Sequence, residues 1–580
     1  MSMKILGISC FYHDAAAAIV VDGTLKAAAS EERFTRIKHD PELPKNAVRF
    51  CLQKAGTTIE DVDYVVFYDK PFTKFDRILT GYMAMPVKSF KAFFQAMPVW
   101  LRRKLWIDHL IHKELGFEGE VLFLPHHLSH AAGTFFSSPF PGAAILTVDG
   151  VGEWANASYG FGDNNRVQLL AEMRYPHSVG LLYSAFTYYL GFQVNSAEYK
   201  VMGLAPYGEP VYADLIEEKL VRIHDDGSIH LNLDYFTFHH GLTMTGKRFE
   251  KLFSRPRRAP ETKLERFHEN VAASIQAVTE KILLKMARHV REVTGERRLC
   301  LSGGVALNCK ANGLLLKEKI FDEVHVQPAS GDAGGATGAA LYAHYFLSGE
   351  DKRDQPFFGI GPQYSAEDVK QFLDEYGIPH TADSLPVQLA RLAEKIAGGH
   401  ITAVFQGAME FGPRALGFRT IAADPRDIRM KEKINRAVKY REPFRPFAPA
   451  VMAEHVSEYF DCENSSPYML FNFTVAEDKR SVIPAVTHVD NSSRIQTVSR
   501  EENPYFYHLL QQFERITGVP VLLNTSFNLR GHPIVNRPEE AFATFCSGGI
   551  DFLLMEHYLL DKSKIPKELQ EQFLFEKALD

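Results

Sequence analysis

The chain has 580 residues, 46% hydrophobic and 23% charged, and Lys+Arg 65 against Asp+Glu 71 leaves a net charge of −6. This composition suits a folded globular protein of several structural units and excludes disordered and fibrous classes; the acidic balance argues against a generic nucleic-acid binder. No apolar run reaches the ~18 residues that a membrane span needs. The first apolar stretch is cut short by His13 and Asp14, so no signal peptide is read, and six scattered cysteines without a C-x-x-C pair suit a reducing compartment; a cytoplasmic location is expected.

Lys4 to Cys10 reads as a strand, followed by the polar tip Phe11-Tyr12-His13-Asp14. Ala15 to Val21 forms a second strand, Asp22-Gly23 a two-residue turn, and Thr24 to Ala29 returns. The pattern recurs further on. Ala143 to Val148 is a buried-strand run, Asp149-Gly150-Val151-Gly152-Glu153 the polar tip, Ala155 to Phe161 the second strand, and Val167 to Met173 the return. A repeated meander with a Gly/Asp loop after its first strand predicts a duplicated unit. Actin-like nucleotide-binding folds have this organisation; two unrelated hairpins are the bland alternative.

Between the meanders, Phe72 to Trp106 interleaves aromatic and basic residues. It reads as a lid over a site or a packing helix, in preference to a dimer contact that would make a homodimer or a membrane-surface helix. His126 and His130, four apart after Pro125, fall on one face of a helix, as a metal pair requires. A helix cap or a polar core pair would use the same residues. Asp149 and Asp332, each on a glycine loop, could complete a mixed nitrogen/oxygen set for Fe, Mn or Zn.

Leu264 to Val290 keeps the three-to-four spacing of a long core helix. Two glycine loops follow, Ser302 to Asn308 and Ser330 to Gly335, each between a strand-like and a helix-like run. Glycine there allows a ligand close to the backbone, and the helix start behind it favours an anion. Gly241 to Lys247 imitates a P-loop, but Arg248 stands where Ser or Thr should follow and no apolar strand precedes it; it is read as a loop.

A polar linker near Ser348 to Arg353 marks a boundary between domains 1–350 and 351–580. In the second domain Arg414, Arg419, Arg436, Lys439, Arg441 and Arg445 are interleaved with Gly, Pro and Phe, which suits fixed forks for phosphate or carboxylate better than a solvated helix face. Arg494 and the run Asn524-Thr525-Ser526-Phe527-Asn528 add polar groups beside apolar strands.

These motifs occur together and in order: His13-Asp14-Ala15-Ala16, Ser30-Glu31-Glu32-Arg33-Phe34, Lys38-His39-Asp40, His126-His127-Leu128-Ser129-His130-Ala131, Val148-Asp149-Gly150, Lys200-Val201-Met202-Gly203, Ser302-Gly303-Gly304, Ser330-Gly331-Asp332, Glu410 to Gly417, Arg441 to Pro449 and Asn524 to Asn528. Along nearly its whole length the chain resembles the NodU/CmcH carbamoyltransferase family. The resemblance implies an α/β protein in which a duplicated actin-like (ASKHA) N-terminal domain precedes a YrdC-like C-terminal α/β domain. It also implies the activity: the second domain makes carbamoyl-adenylate from carbamoyl phosphate and ATP with Mg²⁺, and the first moves the carbamoyl group to a hydroxyl of a small-molecule acceptor such as a natural product or sugar.

By the same resemblance, His126, His130, Asp149 and Asp332 would hold one divalent transition metal, Fe²⁺ or a similar ion, and His13 would be the acceptor-side base with Lys38 nearby. Gly150, Glu198, Lys200, Gly203, Ser302, Gly303, Gly304 and Asn308 would line the adenylate pocket. Arg414, Arg419, Lys439, Arg445, Arg494, Asn524 and Ser526 would hold carbamoyl phosphate and ATP. Gly407-Ala408 and Phe418-Arg419-Thr420 depart from the Gly-Arg and Asn-Arg-Ser of many relatives. Rival readings are threonylcarbamoyl-type transfer to tRNA, disfavoured by the net acidity, and an actin-like ATPase without transfer.

Overall fold

The computed structural model describes residues 2–575. The chain divides into two compact units. The first comprises the chain up to Glu31 and His39–Gln355; the second comprises Glu32–Lys38 and the chain from Pro356 onward.

In the first unit, β1 (Lys4–Ser9), β2 (Ala16–Val21), β3 (Thr24–Ser30), β4 (Tyr64–Phe67) and β5 (Glu120–Phe123) form one sheet in the order β3-β2-β1-β4-β5. β1, β2 and β3 are antiparallel, while β4 and β5 run parallel to β1. Further along come β6 (Gly142–Val148), β7 (Ala155–Asp163), β8 (Arg166–Arg174), a separate hairpin of β9 (Val221–Ile223) and β10 (Ile229–Leu231), then β11 (Arg298–Ser302) and β12 (Glu323–Val326). The second sheet has the order β12-β11-β6-β7-β8, again with an antiparallel meander and two parallel strands added beside its first strand. Renumbered within each half, both sheets read 3-2-1-4-5. This is the duplicated actin-like arrangement.

The first strands are apolar on both faces because helices cover both sides, as β1 (KILGIS) and β6 (GAAILTV) show in their burial. Two helices, His126–Ser137 and Ala333–Ser348, cross in contact between the sheets. They approach so closely at Gly338 that a Cβ there would fall inside the Ser129 carbonyl oxygen. Gly7 in β1 has the same relation to the Ala336 carbonyl. The long amphipathic helix runs Arg266–Thr294, two residues later at its start than the spacing predicts. Glu265 caps it, Gly295 ends it at φ 69°, and Val271, Ile275, Val278 and Ile282 are buried.

The second unit is built on an eight-stranded mixed sheet of order β13-β22-β21-β14-β15-β20-β16-β19. Its strands are β13 (Thr381–Ala382), β14 (Thr402–Phe405), β15 (Arg419–Ala423), β16 (Ala448–Met452), β19 (Gln496–Val498), β20 (Val521–Ser526), β21 (Phe552–Met555) and β22 (Tyr558–Asp561), with a side pair of β17 (Asn472–Thr474) and β18 (Ser492–Arg494). Part of this unit is the excursion Glu32–Lys38. Arg36 donates to the carbonyls of Pro533 (2.8 Å) and Ile534 (2.7 Å) and pairs with Glu540 at 3.2 Å; Arg33 donates to the Gly412 carbonyl at 3.0 Å. Among the described residues no helix is long and apolar enough to cross a membrane.

Candidate active site

In the first unit the two central helices converge with the ends of the two sheets. His126 and His130 lie one turn apart on the helix His126–Ser137, with their Nε2 atoms 3.1 Å from one another. Asp149 follows the last residue of β6, and its Oδ2 is 3.3 Å from His126 Nε2. Its other oxygen accepts the Gly304 N–H at 2.9 Å, which fixes the carboxylate against the loop after β11. Asp332 stands at the start of the helix Ala333–Ser348, its Oδ1 3.8 Å from His126 Nε2 and 3.9 Å from His130 Nε2. One ligand atom from each of the four lies within 4.8 Å of the others, and all four residues are buried. The close helix crossing at Gly338 is what brings Asp332 to the two histidines.

Buried charge requires compensation. Burial holds His126 well below its ordinary pKa, against the pull of Asp149. Burial alone would raise the Asp149 carboxyl, but the hydrogen bond with His126 and the charge of His130 hold it well below the usual range. Asp332 is pushed up by burial, with His13 opposing. Two imidazole nitrogens this close cannot both carry a proton, and two carboxylates face them. Such a donor set fits a divalent transition cation.

His13 sits on the tip after β1. Its Nε2 is 3.9 Å from Asp332 Oδ2, and its Nδ1 is 2.8 Å from Asp14 Oδ2. Asp14, in the left-handed region at φ 53°, reaches His39 Nδ1 with its other oxygen at 2.6 Å; His39 Nε2 is in turn 2.9 Å from Ser196 Oγ. Burial lowers the His13 pKa, but Asp332 and Asp14 outweigh it and raise the imidazole to about 9.

Three groups that the sequence reading did not assign stand beside the cluster. The Glu153 carboxylate accepts the His126 N–H (3.0 Å) and the Lys70 N–H (2.8 Å), capping the helix that carries both histidines. Tyr68 donates to Asp332 Oδ2 at 3.4 Å, and the buried pair Lys74–Asp69 closes at 2.6 Å with the ammonium 5.7 Å from the Tyr68 ring. Glu153 belongs to the same Gly/Asp tip as Asp149, which is a usable signal. His39 and Lys74 come from distant segments with no spacing that links them to the site.

The residues expected around the adenylate separate into two groups. Gly150, Ser302, Gly303 and Gly304 gather at the ends of β6 and β11, where Gly303 has φ 92° and a Cβ would strike the Val148 carbonyl. A Cβ on Gly150 would meet nothing within 4 Å. Glu198 accepts from Ser184 Oγ at 2.8 Å and from Asn195 N–H at 3.0 Å, at the head of the helix Glu198–Leu204 that also carries buried Lys200 and Gly203. Asn308, also expected at the pocket, starts the next helix. Its side chain caps the helix Cys309–Lys317 through the Ala311 N–H and exchanges hydrogen bonds with Gln276, so both ends of the amide are engaged within the protein.

In the second unit Lys439 ends a single π-turn (Asn435–Lys439), followed by Tyr440 at φ 46°. Such turns concentrate at functional sites. Its ammonium donates to the Ser526 carbonyl and to Asn528 O (3.0 Å) and Oδ1 (2.8 Å). Ser526 Oγ donates to Asn528 Oδ1 at 2.6 Å, and Asn524 donates to Ala415 O and Gln496 Oε1, so this part of the expected set is gathered at the end of β20. Arg414, Arg445 and Arg494 are half-buried, and Arg445 lies 3.7 Å from Glu442. Arg530 donates to the Tyr440 carbonyl at 3.2 Å.

Arg419, expected among the phosphate-holding residues, is fully buried; its guanidinium lies 3.7 Å over Phe405 and its N–H groups donate to the carbonyls of Gln406, Phe418, Gly407 and Pro362. Burial lowers its pKa to about 10, with Glu410 opposing. Lys38 belongs to the Glu32–Lys38 excursion of the second unit.

The fold and the buried cluster define a two-unit protein whose first unit is actin-like and whose densest chemistry lies between its paired sheets. The chain matches the family models for the carbamoyltransferase N-terminus over residues 4–341 and the carbamoyltransferase C-terminus over residues 393–562, and it belongs to the carbamoyltransferase family. An uncharacterized protein of Synechocystis sp. is 47% identical over 98% of both chains. Nodulation protein NolNO of Sinorhizobium fredii is 39% identical over 95% of this chain and 79% of that one, and nodulation protein U of Bradyrhizobium diazoefficiens is 29% identical over 97% and 98%. A weaker likeness, 13% identical with a TM-score of 0.32, is to full-length HypF in its phosphate- and nucleotide-bound form, covering 60% of this chain and 56% of that one. The chain is thus a carbamoyltransferase, a transferase of one-carbon groups.

Proposed function

We propose that this carbamoyltransferase takes its carbamoyl group from carbamoyl phosphate, activates it with Mg²⁺-ATP and delivers it to the hydroxyl of a small natural product or sugar. In the second unit, read as YrdC-like, Arg414, Lys439, Arg445, Arg494, Asn524 and Ser526 hold the phosphates. Water releases carbamate and phosphate from carbamoyl phosphate. A carbamate oxygen then attacks the α-phosphorus of ATP, giving carbamoyl-adenylate and pyrophosphate. In the first unit Gly150, Glu198, Lys200, Gly203 and Ser302–Gly304 line the adenylate pocket. The acceptor oxygen attacks the carbamoyl carbon, the bond to AMP breaks, and the hydroxyl proton passes to His13 Nε2.

The observation that carries this reading is the placing of His13. Its Nδ1 is held by Asp14 while its Nε2 faces the buried cluster 3.9 Å from Asp332, which is the geometry of an oriented base beside a charged site. His126, His130, Asp149 and Asp332 would hold Fe²⁺, which when bound supplies positive charge for the oxygens of the reacting group. Such a charge offsets Asp332 and favours the neutral His13 that a base requires.

The test follows the nucleotide products of purified protein given ATP, Mg²⁺ and carbamoyl phosphate, with and without a panel of hydroxylated acceptors. AMP and pyrophosphate that depend on carbamoyl phosphate are expected. ADP formed with or without carbamoyl phosphate would sink the adenylate route.

A further inference from the structure

The segment from Pro71 to Trp106 folds as two helices, Pro71–Ala84 and Pro86–Arg102, joined at Met85. Phe75 packs on Trp100 at 5.8 Å and Tyr82 on Phe93 at 6.1 Å between ring centres, so the helices run antiparallel as a hairpin. Ser89, Ala92, Met97 and Trp100 of the second helix are buried. That inner face accounts for one apolar stripe, but the helix has two.

On a second, outward face, Val87, Phe90, Phe94 and Leu101 recur at helical spacing and are 91%, 63%, 61% and 54% exposed. Phe90 and Phe94 meet at 4.6 Å between ring centres, tilted by 50°, on the solvent side, and Trp106, just beyond the helix, is 57% exposed. A surface helix apolar on both faces is covered by something on its outer side.

The charges say what covers it. Lys88, Lys91 and Arg102 flank the outer stripe, all exposed, and no Asp or Glu occurs between Arg77 and Ile107, although the whole chain carries a net charge of −6. A second copy in a two-fold contact would bring this basic edge against its own equivalent. An anionic lipid surface meets both features together: the aromatic stripe enters the headgroup boundary, the basic edge meets the phosphates, and Trp106 takes the interfacial position that indoles favour.

We propose that this hairpin docks the first unit on an anionic lipid bilayer, lying in the interface without crossing it. The test uses the full chain and vesicles of phosphatidylcholine with or without phosphatidylglycerol. Flotation with the phosphatidylglycerol vesicles, release at high salt and a blue shift of tryptophan fluorescence that Trp106→Phe removes are expected. K88E/K91E should weaken binding at least about twenty-five-fold, from roughly a factor of five for each lysine charge lost, and F90S/F94S should abolish it. All four positions are exposed, so both variants should keep the wild-type thermal unfolding. Absence of binding to phosphatidylglycerol vesicles overturns the proposal, as does equal binding to pure phosphatidylcholine or undiminished binding by K88E/K91E. A dimer in light scattering that F90S/F94S converts to monomer also overturns it, assigning the face to a second copy.

Discussion

The two units place their charged side chains against different partners. In the first, ionisable groups meet one another: His126 and His130 face Asp149 and Asp332, Asp14 lies between His13 and His39, and Lys74 closes on Asp69. In the second, two of the expected cations meet main chain. Arg419 donates to four carbonyls and Lys439 to those of Ser526 and Asn528. A buried cation bound by carbonyls holds loops in shape, whereas a buried cluster of imidazoles and carboxylates is costly unless something positive joins it. The density of charge in a sequence therefore does not reveal whether a cation faces a ligand or the protein's own backbone.

Three substitutions would break or sharpen this contrast. The largest effect is expected at His13. His13→Asn should lower carbamoyl transfer by about three orders of magnitude, within the range of general-base catalysis, while pyrophosphate release from ATP and carbamoyl phosphate continues. Loss of both partial reactions would remove the division of labour between the units. Next is Arg419→Met, which leaves buried carbonyls without donors and should cost about 3 kcal/mol, read as a lower thermal midpoint for the second unit. If the variant unfolds like wild type yet binds ATP poorly, Arg419 is a ligand group after all. The smallest is Glu153→Ala. Removing the cap on the His126 helix should weaken retention of a divalent cation about tenfold, as outer-shell changes do, and cost about 1 kcal/mol of stability. Unaltered metal titration would mean that the cap orients nothing.

What the sequence disclosed follows the range of the interaction. The histidine pair rests on a four-residue spacing, and the aspartates on the rule that loops at strand ends carry polar groups; both are local, and the structure brings these four side chains together. The duplicated sheet was legible for the same reason, because each meander is contiguous. Lys74 joins the site only through chain folding, so no pattern marks it; His39 falls in the Lys38-His39-Asp40 motif, but nothing local ties that motif to the cluster. Asn308 and Arg419 were assigned by chemistry alone, and amide or guanidinium groups serve backbone and ligand equally well. The outward face of the hairpin was visible as composition, but which side of each helix lies buried required the packing itself.

The excursion Glu32–Lys38 has a consequence for how the protein is made and divided. The polypeptide passes from one unit to the other at three places, after Glu31, after Lys38 and after Gln355. A single cut in the linker near residue 350 would therefore yield a second fragment stripped of Arg33 and Arg36, with the Pro533 and Ile534 carbonyls and Glu540 robbed of their donor. The same stitch imposes an order on biosynthesis. A strip of chain made well before Pro533, Ile534 and Glu540 must wait for them before its own partners exist.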